Sequence, residues 1–560
     1  MRIKIDNKEF QAEEGETILD VAQKNGIEIP TLCHHPDTKI KESCRVCVVQ
    51  VKDRGLLPAC STKIEEGMEV ETANDSIEKA RRVNLELLFS QHQEECFDCI
   101  WNMNCKMLDL AKEYRVKINK FKDRKDHYPT YHFGPIEFDS SKCIDCRNCV
   151  EICENQGVGF LEIRGKGHLM EVLPSGDPDK DCVYCGQCIV HCPAGSFESV
   201  GEFERIKDPF KNKEKTVIFQ IAPAVRATIG EEFGVTGKNS MKELVAALKE
   251  LGGDKVFDVP VGADITTMEE SKELLSRIEN DDLPLFTACC PSWVKFVEFY
   301  YPDLVSRLTT VRSPHIILGG LVKKHFSEKK GIDPEELYIT SVMPCVSKKY
   351  EIERKELEVE GVRPVDNVMT TREVGRLLKL NKMELNETEG EDPDDPFGEA
   401  SSSGVTYGLS GGVMRSAVLN LTGKEAELKE VKEGLKEGEV RYEGRHLRVA
   451  VVHGLSNARE ILEELRKGRA EYDYVEVMAC PGGCIGGGGQ SVPTCMRTIQ
   501  ERRKGLEGAG ERKKKRKADD NPEAKRVYET VLCSEKEISK ICHTNYQKAE
   551  RSIIKRTKKE

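Results

Sequence analysis

Two cysteine runs of the same spacing limit what this chain can fold into more than any other feature. Cys143, Cys146, Cys149 and Cys153 read C-x2-C-x2-C-x3-C, and Cys182, Cys185, Cys188 and Cys192 repeat the pattern, with Pro193 following. In such a doubled arrangement the first three thiolates of each run wrap one cubane and the fourth crosses to the other. The expected ligand sets for two [4Fe–4S] clusters are therefore Cys143, Cys146 and Cys149 with Cys192, and Cys182, Cys185 and Cys188 with Cys153. A pair of zinc sites is the competing reading, and a repeated run of eight cysteines argues against it.

The other cysteines are unevenly placed. Of 23 in 560 residues, fifteen precede residue 193, none lies between Cys192 and Cys289, and eight are spread through the remainder. The first part reads as small modules in which coordination replaces a large core. The second has the length and apolar runs of one large domain. The opening MRIKIDNKEF has no apolar signal region, and nowhere do about 18 apolar residues run together. The reading is a cytoplasmic chain without a membrane span, whose thiols stay reduced and whose clustered cysteines bind metal. A formal charge of -11 argues against nucleic acid as a partner, and the basic run Arg512–Lys517 reads as a solvated face.

Patterning predicts a multidomain protein of mixed α+β and α/β class. Residues 1–78 open on an alternating strand, Arg2–Ile5, then an amphipathic helix over Glu16–Asn25, then a cysteine-bearing loop. Residues 79–120 are helical in pattern, and 135–205 hold the repeated cluster module. From Thr216 apolar strands alternate with amphipathic helices such as MKELVAALKELGG, which predicts α/β sheets across 212–500. Residues 501–560 are charged and helix-prone, and are expected to form a C-terminal helical segment packed on that domain. Glu389–Pro396 reads as an acidic surface loop. The chain lacks a strand–GxGxxG–helix unit, so it is not expected to bind a nicotinamide cofactor itself.

Two further ligand groups precede the doubled run. Cys33, Cys44, Cys47 and Cys60 resemble the plant-type ferredoxin module that heads respiratory NADH dehydrogenases and hydrogenases, which implies one [2Fe–2S] cluster in a β-grasp fold. Their first gap is longer than the plant-type one, and zinc is the alternative. His92, Cys96, Cys99 and Cys105 fit Cys3His zinc equally well by spacing alone. Their resemblance to the module that follows the [2Fe–2S] domain in the same two families implies a [4Fe–4S] cluster with one imidazole ligand. His34 and His35, beside Cys33, read as ordinary loop residues.

Three later segments, Thr287–Trp293 (TACCPSW), Met343–Glu351 (MPCVSKKYE) and Glu476–Gln490 (EVMACPGGCIGGGGQ), together resemble the signatures of [FeFe]-hydrogenases. The resemblance implies that Cys290, Cys345, Cys480 and Cys484 hold a catalytic [4Fe–4S] cubane. The Cys484 sulfur would bridge it to a diiron subsite carrying CO, cyanide and an azadithiolate, the whole being the H-cluster. Glycines around Cys484 leave room for a cluster to approach the backbone. Met343, Met478, Pro223, Ala224, Ser313, Pro314 and Tyr407 match positions lining the diiron pocket, although each alone reads as ordinary packing. Lys348 would give its ammonium to a cyanide ligand.

Cys289 precedes a ligand but is itself spare, and in the family it passes protons. Glu270, Glu273, Thr309 and Arg277 match the family's proton path; a helix over MEESKELL puts both glutamates on one face, which unaided would read as a solvated surface. The activity implied is reversible oxidation of H2 to protons, with electrons relayed through one [2Fe–2S] and three accessory [4Fe–4S] clusters under anaerobic conditions. The implied partners are flavin- and NAD(P)-binding subunits, ferredoxin, or both, together with maturation proteins for the diiron site. Ala288, Tyr407, Thr309 and Ser491 depart from the commoner family text without removing a ligand. Cys495, Cys533 and Cys542 match no signature and read as reduced structural thiols. A cluster-relay or assembly protein and a hydrogen sensor are the competing readings, and the presence of Cys289 argues against both.

Overall fold

The first hairpin closes on a two-residue turn. Asp6 and Asn7 take left-handed φ values of 47° and 68°, the conformation a tight hairpin needs, and return Lys8–Gln11 antiparallel to Arg2–Ile5. The alternate residues Ile3 and Ile5 enter a core with Ile18, Val21, Val49 and Val70. The computed structural model describes residues 1–102, 104–121, 128–201, 203–469 and 471–557. Its first sheet has the order Lys8–Gln11, Arg2–Ile5, Met68–Glu71, Val48–Val51, Gly55–Pro58. On it packs the helix Ile18–Lys24, started by a reciprocal cap between Thr17 and Asp20. The next helix, Asp75–Phe89, is tied back by Arg81, whose buried guanidinium donates to the Val48 carbonyl and the Tyr114 hydroxyl.

Each repeated cysteine run is a loop turned into a short helix by one left-handed residue. Arg147 (φ 65°) precedes Asn148–Asn155, and Gly186 (φ 70°) precedes Gln187–Val190. Trp101 links this module to the preceding one, its indole N–H donating 2.8 Å to the Cys192 carbonyl.

The large domain has two sheets. One is fully parallel, in the order Lys255–Asp258, Thr216–Ile221, Leu337–Met343, Asn367–Thr370. Its two central strands are buried almost throughout, as cover on both faces demands, and the few polar residues inside them, such as Gln220 and Ser341, bond to each other. The other orders Leu285–Phe286, Tyr474–Met478, Arg445–His453, Leu435–Tyr442, Glu427–Lys432, parallel at the first two pairings and antiparallel at its far edge. The helix Pro260–Glu279 meets Pro314–Leu321 at Gly262, where a side chain would lie 2.2 Å from the Pro314 carbonyl oxygen. Among the described residues no helix is long and apolar enough to cross a membrane.

Two expectations change. The acidic loop is not wholly a surface feature: Asp394 accepts from the Val256 N–H and the Lys255 ammonium, and Asp395 from the Asp258 N–H, which closes the edge of the parallel sheet. The C-terminal segment is helical over Met496–Glu511, Pro522–Thr530 and Glu535–Cys542, but it ends as a strand. Ile554–Thr557 pairs antiparallel with Thr130–Phe133 and completes a four-stranded sheet of the dicluster module. Its text, IKRT, has little strand signature of its own; an otherwise unpaired sheet edge recruits it.

Candidate active site

The three cysteine segments all begin where a parallel strand ends. Cys289 and Cys290 follow Leu285–Phe286, Cys345 follows Leu337–Met343, and Cys480 and Cys484 follow Tyr474–Met478. Pro223 and Ala224 follow Thr216–Ile221 in the same way. Ligand crevices in α/β sheets form at such carboxyl ends, because the loops there diverge while the strands hold their origins fixed. Here the loops of both sheets converge on one cavity, with a volume open to the centre of a water molecule of about 90 Å³.

Cys289, Cys290, Cys345, Cys480, Cys484, Met343, Met478, Pro223, Ala224, Pro314, Tyr407 and Lys348 all line this cavity. Ser313 lies just behind, and its hydroxyl oxygen is buried without a hydrogen-bond partner. Gly483, just before Cys484, has no room for a side chain, since one there would lie 2.5 Å from the Ser410 backbone nitrogen. Converging thiols, an apolar wall, a buried ammonium and an orphaned hydroxyl fit a sulfur-ligated, anionic iron group.

The ammonium is held by residues that sequence reasoning missed. Lys348 Nζ lies 2.7 Å from Glu351 and donates to the Cys289 carbonyl at 3.2 Å, while His315 Nε2 meets the same carboxylate at 2.5 Å. Burial disfavours the charge on Lys348, but Glu351 outweighs it and raises the pKa. Burial likewise acts against the Glu351 carboxylate, yet Lys348 and His315 bring it down to about 2.

Glu270, Glu273 and Thr309 lie outside the cavity wall, behind Cys289. Glu270 is fully buried and pushed up to about 8, first by burial and then by Glu273 and Glu476. The Tyr474 hydroxyl donates to it at 3.0 Å and the Tyr407 hydroxyl at 3.5 Å. Glu273 accepts from the Thr309 hydroxyl (2.7 Å) and the Thr310 N–H (2.9 Å), and Arg277 reaches it at 3.3 Å. Thr310 continues to His543 Nδ1 at 2.8 Å. Tyr474 stands two residues before the EVMAC segment on the same strand; His543 carried no local signal.

The glycine run is the seam between the cluster modules and this cavity. A side chain on Gly488 would lie 2.5 Å from the Gly186 Cα and 2.6 Å from the Cys185 carbonyl oxygen, and one on Gly487 would lie 2.2 Å from the Pro344 carbonyl oxygen. Buried arginines hold the run: Arg372 donates to the Gly488 and Gln490 carbonyls, and Arg502 to those of Ile485 and Ser491 while paired with Glu231 at 2.6 Å. Arg502→Leu is expected to lower stability by about 3–5 kcal/mol, because it leaves Glu231 buried and uncompensated; chemical denaturation under anaerobic conditions measures it.

The upstream ligands also gather by module. Cys33, Cys44, Cys47 and Cys60 are buried. His92, Cys96, Cys99 and Cys105 line one pocket, and His92 Nδ1 lies 2.7 Å from the Lys142 carbonyl, which orients the ring. Cys143, Cys146, Cys149 and Cys192 share a core with Cys188, while Cys153, Cys182 and Cys185 pack against its edge.

Known proteins share these features. Residues 215–488 match the family model for the iron only hydrogenase large subunit, C-terminal domain. Residues 1–75 match a 2Fe-2S iron-sulfur cluster binding domain, 81–120 the NADH-ubiquinone oxidoreductase-G iron-sulfur binding region, and 142–196 a 4Fe-4S dicluster domain. The chain is 36% identical to the NADP-reducing hydrogenase subunit HndD of Solidesulfovibrio fructosivorans, over 98% of this chain and 99% of that one. It is 34% identical to iron hydrogenase 1 of Clostridium pasteurianum, over 87% and 88%. The solved [FeFe]-hydrogenase structure of HydA(deltaEFG) superposes with a TM-score of 0.56 at 32% identity, covering 62% of this chain and 99% of that one.

Proposed function

This chain belongs to the iron-only, or [FeFe], hydrogenase family, and from that premise we propose that it is the hydrogen-activating subunit of a cytoplasmic complex with flavin- and NAD(P)-binding partners. It is an oxidoreductase, a hydrogenase catalytic subunit with accessory iron–sulfur domains. The observation that carries the site assignment is the convergence of Cys290, Cys345, Cys480 and Cys484 on one apolar cavity that also receives Lys348. When bound, the H-cluster would supply the iron centre at which H2 is split or formed.

The chain's own residues then divide the work. The four cysteines anchor the cluster, Lys348 offers a buried positive charge to its anionic ligands, and Met343, Met478, Pro223, Ala224, Pro314 and Tyr407 keep water out. Ser313 offers its unpaired hydroxyl. Cys289 hands protons toward Glu270, and Glu273 with Thr309 and Arg277 carries them outward. Clusters held by the dicluster, His92 and Cys33 modules would supply the electron relay, and the Gly186–Gly488 contact brings the first of these modules against the cavity.

Support for the complex lies in end-to-end similarity to an NADP-reducing hydrogenase subunit, including the region shared with NADH-ubiquinone oxidoreductase. A free-standing, ferredoxin-linked enzyme is the second reading, since the chain has no nicotinamide-binding unit of its own to name its electron partner. Native anaerobic purification decides between them: a flavoprotein should copurify and confer H2-dependent NAD(P) reduction. A lone chain exchanging electrons rapidly with ferredoxin would defeat the complex. The ligand sets predict one [2Fe–2S], three accessory [4Fe–4S] and the H-cluster, about 20 iron atoms in all. Iron analysis and infrared bands from CO and cyanide in matured protein check this; stoichiometric zinc at the His92 module would contradict it.

A further inference from the structure

We infer that His35, Asp37 and His191 form a mononuclear divalent-cation site, separate from the cluster ligand sets, which staples the first relay module to the dicluster module. The three residues come from two modules: His35 and Asp37 from the loop after Cys33, and His191 from the end of the second cysteine run. Their ligand atoms all lie within 4.8 Å of one another. Asp37 Oδ2 is 3.3 Å from His191 Nε2 and 3.7 Å from His35 Nδ1. Bonds of 2.0–2.1 Å to a tetrahedral ion put neighbouring ligand atoms about 3.3 Å apart, close to the two Asp37 distances, so binding needs the two imidazoles to close on the ion.

Hydrogen bonding fixes which nitrogens face inward. His191 Nδ1 lies 2.8 Å from the Gln187 carbonyl, which can only accept, so that nitrogen carries the proton. Nε2 then faces the partly buried Asp37 carboxylate, and either a proton or a metal ion stands between them. His35 Nδ1 accepts from the Asp37 N–H at 3.2 Å, while the Thr494 backbone accepts from the same ring, which places the His35 proton on Nε2. Both imidazoles thus have one nitrogen steered by a backbone carbonyl and the other turned to Asp37, the outer-shell arrangement of metal-ligating histidines. The ion would take over the His35 lone pair from the long bond to the Asp37 N–H. Two imidazoles and one carboxylate suit zinc or another borderline divalent ion, with one position open. This departs from the plain loop reading of His35; a second histidine beside Cys192, distant in sequence, makes the difference.

The test uses anaerobic holoprotein, Zn2+ in competition with a chromophoric chelator, and zinc-edge X-ray absorption. The wild type should bind one zinc beyond its cluster content with nitrogen and oxygen neighbours alone. His191→Ala and Asp37→Asn should each weaken binding by about 100-fold or more, since loss of even an outer-shell partner costs 10–100-fold, with iron content unchanged in Asp37→Asn. If His191→Ala loses iron through its neighbour Cys192, Asp37→Asn alone decides. Absence of zinc binding in the wild type, which would leave an imidazolium–carboxylate pair, overturns the site. So would sulfur neighbours around the zinc, or an Asp37→Asn protein that binds as the wild type does.

Discussion

Turnover of a Cys289→Ala variant is expected to fall by about two to four orders of magnitude, the usual contribution of a positioned acid–base group, while cluster content stays whole. Cys289 lines the cavity but stands outside the proposed ligand set, so its removal breaks proton transfer and leaves iron binding alone. Behind it, Glu270 keeps its proton through neutral pH and releases it as pH rises through about 8. The wild-type rate profile should therefore inflect near 8, and Glu270→Gln, locked in the neutral form, should lack that inflection. Glu273→Gln should be milder than Cys289→Ala, because Thr309 and Thr310 stay in place for water to bridge. Hydrogen evolution from a reduced dye, with iron content determined on the same samples, measures all three. Near-wild-type evolution by matured Cys289→Ala would remove the thiol from the path.

Lys348→Met should lose most of its capacity to retain the diiron unit, and with it nearly all activity. The substitution keeps most of the side chain's length but strips the cavity of its ammonium and leaves Glu351 buried against His315 alone. Breaking such a pair costs about 3–5 kcal/mol. The pH dependence has a definite sign: Glu351 has a folded pKa of about 2 against an ordinary 4.5, so its contribution is complete above about pH 4.5 and disappears as pH falls toward 2. The variant should show a weaker acid-range dependence of stability. Infrared spectra report the diiron unit directly; a Lys348→Met protein with wild-type band intensity would refute the anchoring role.

Sequence was informative where chemistry is written in spacing. The cysteine runs, the strand–helix alternation after Thr216 and the one-faced glutamates of the Pro260–Glu279 helix could all be read locally, because coordination and helical period act over a few residues. The Lys348–Glu351–His315 group was half legible: the lysine and glutamate are three apart, but the histidine arrives from a different helix by way of sheet order. Arg372 and Arg502 could not be read at all, since most of their partners are backbone carbonyls, which carry no side-chain signature, and the carboxylate that Arg502 meets, Glu231, is 271 residues away. The tail strand was missed for a related reason: its pairing is dictated by the open edge of Thr130–Phe133 rather than by its own text.

That tail sets an order of assembly. The sheet bearing the dicluster module is begun near residue 130 and closed by residues 554–557, after the whole catalytic domain has left the ribosome. Arg551 ties to the Ser175 and Lys180 carbonyls, and Ser552 to Asp181 and Tyr184, beside the second cysteine run. Until those contacts form, a nascent chain carries an open strand edge next to thiols awaiting iron, the kind of surface that invites pairing between chains. The segment 551–557 therefore acts as a latch on the relay, and a chain lacking it should keep its catalytic cavity yet aggregate through the module that feeds it.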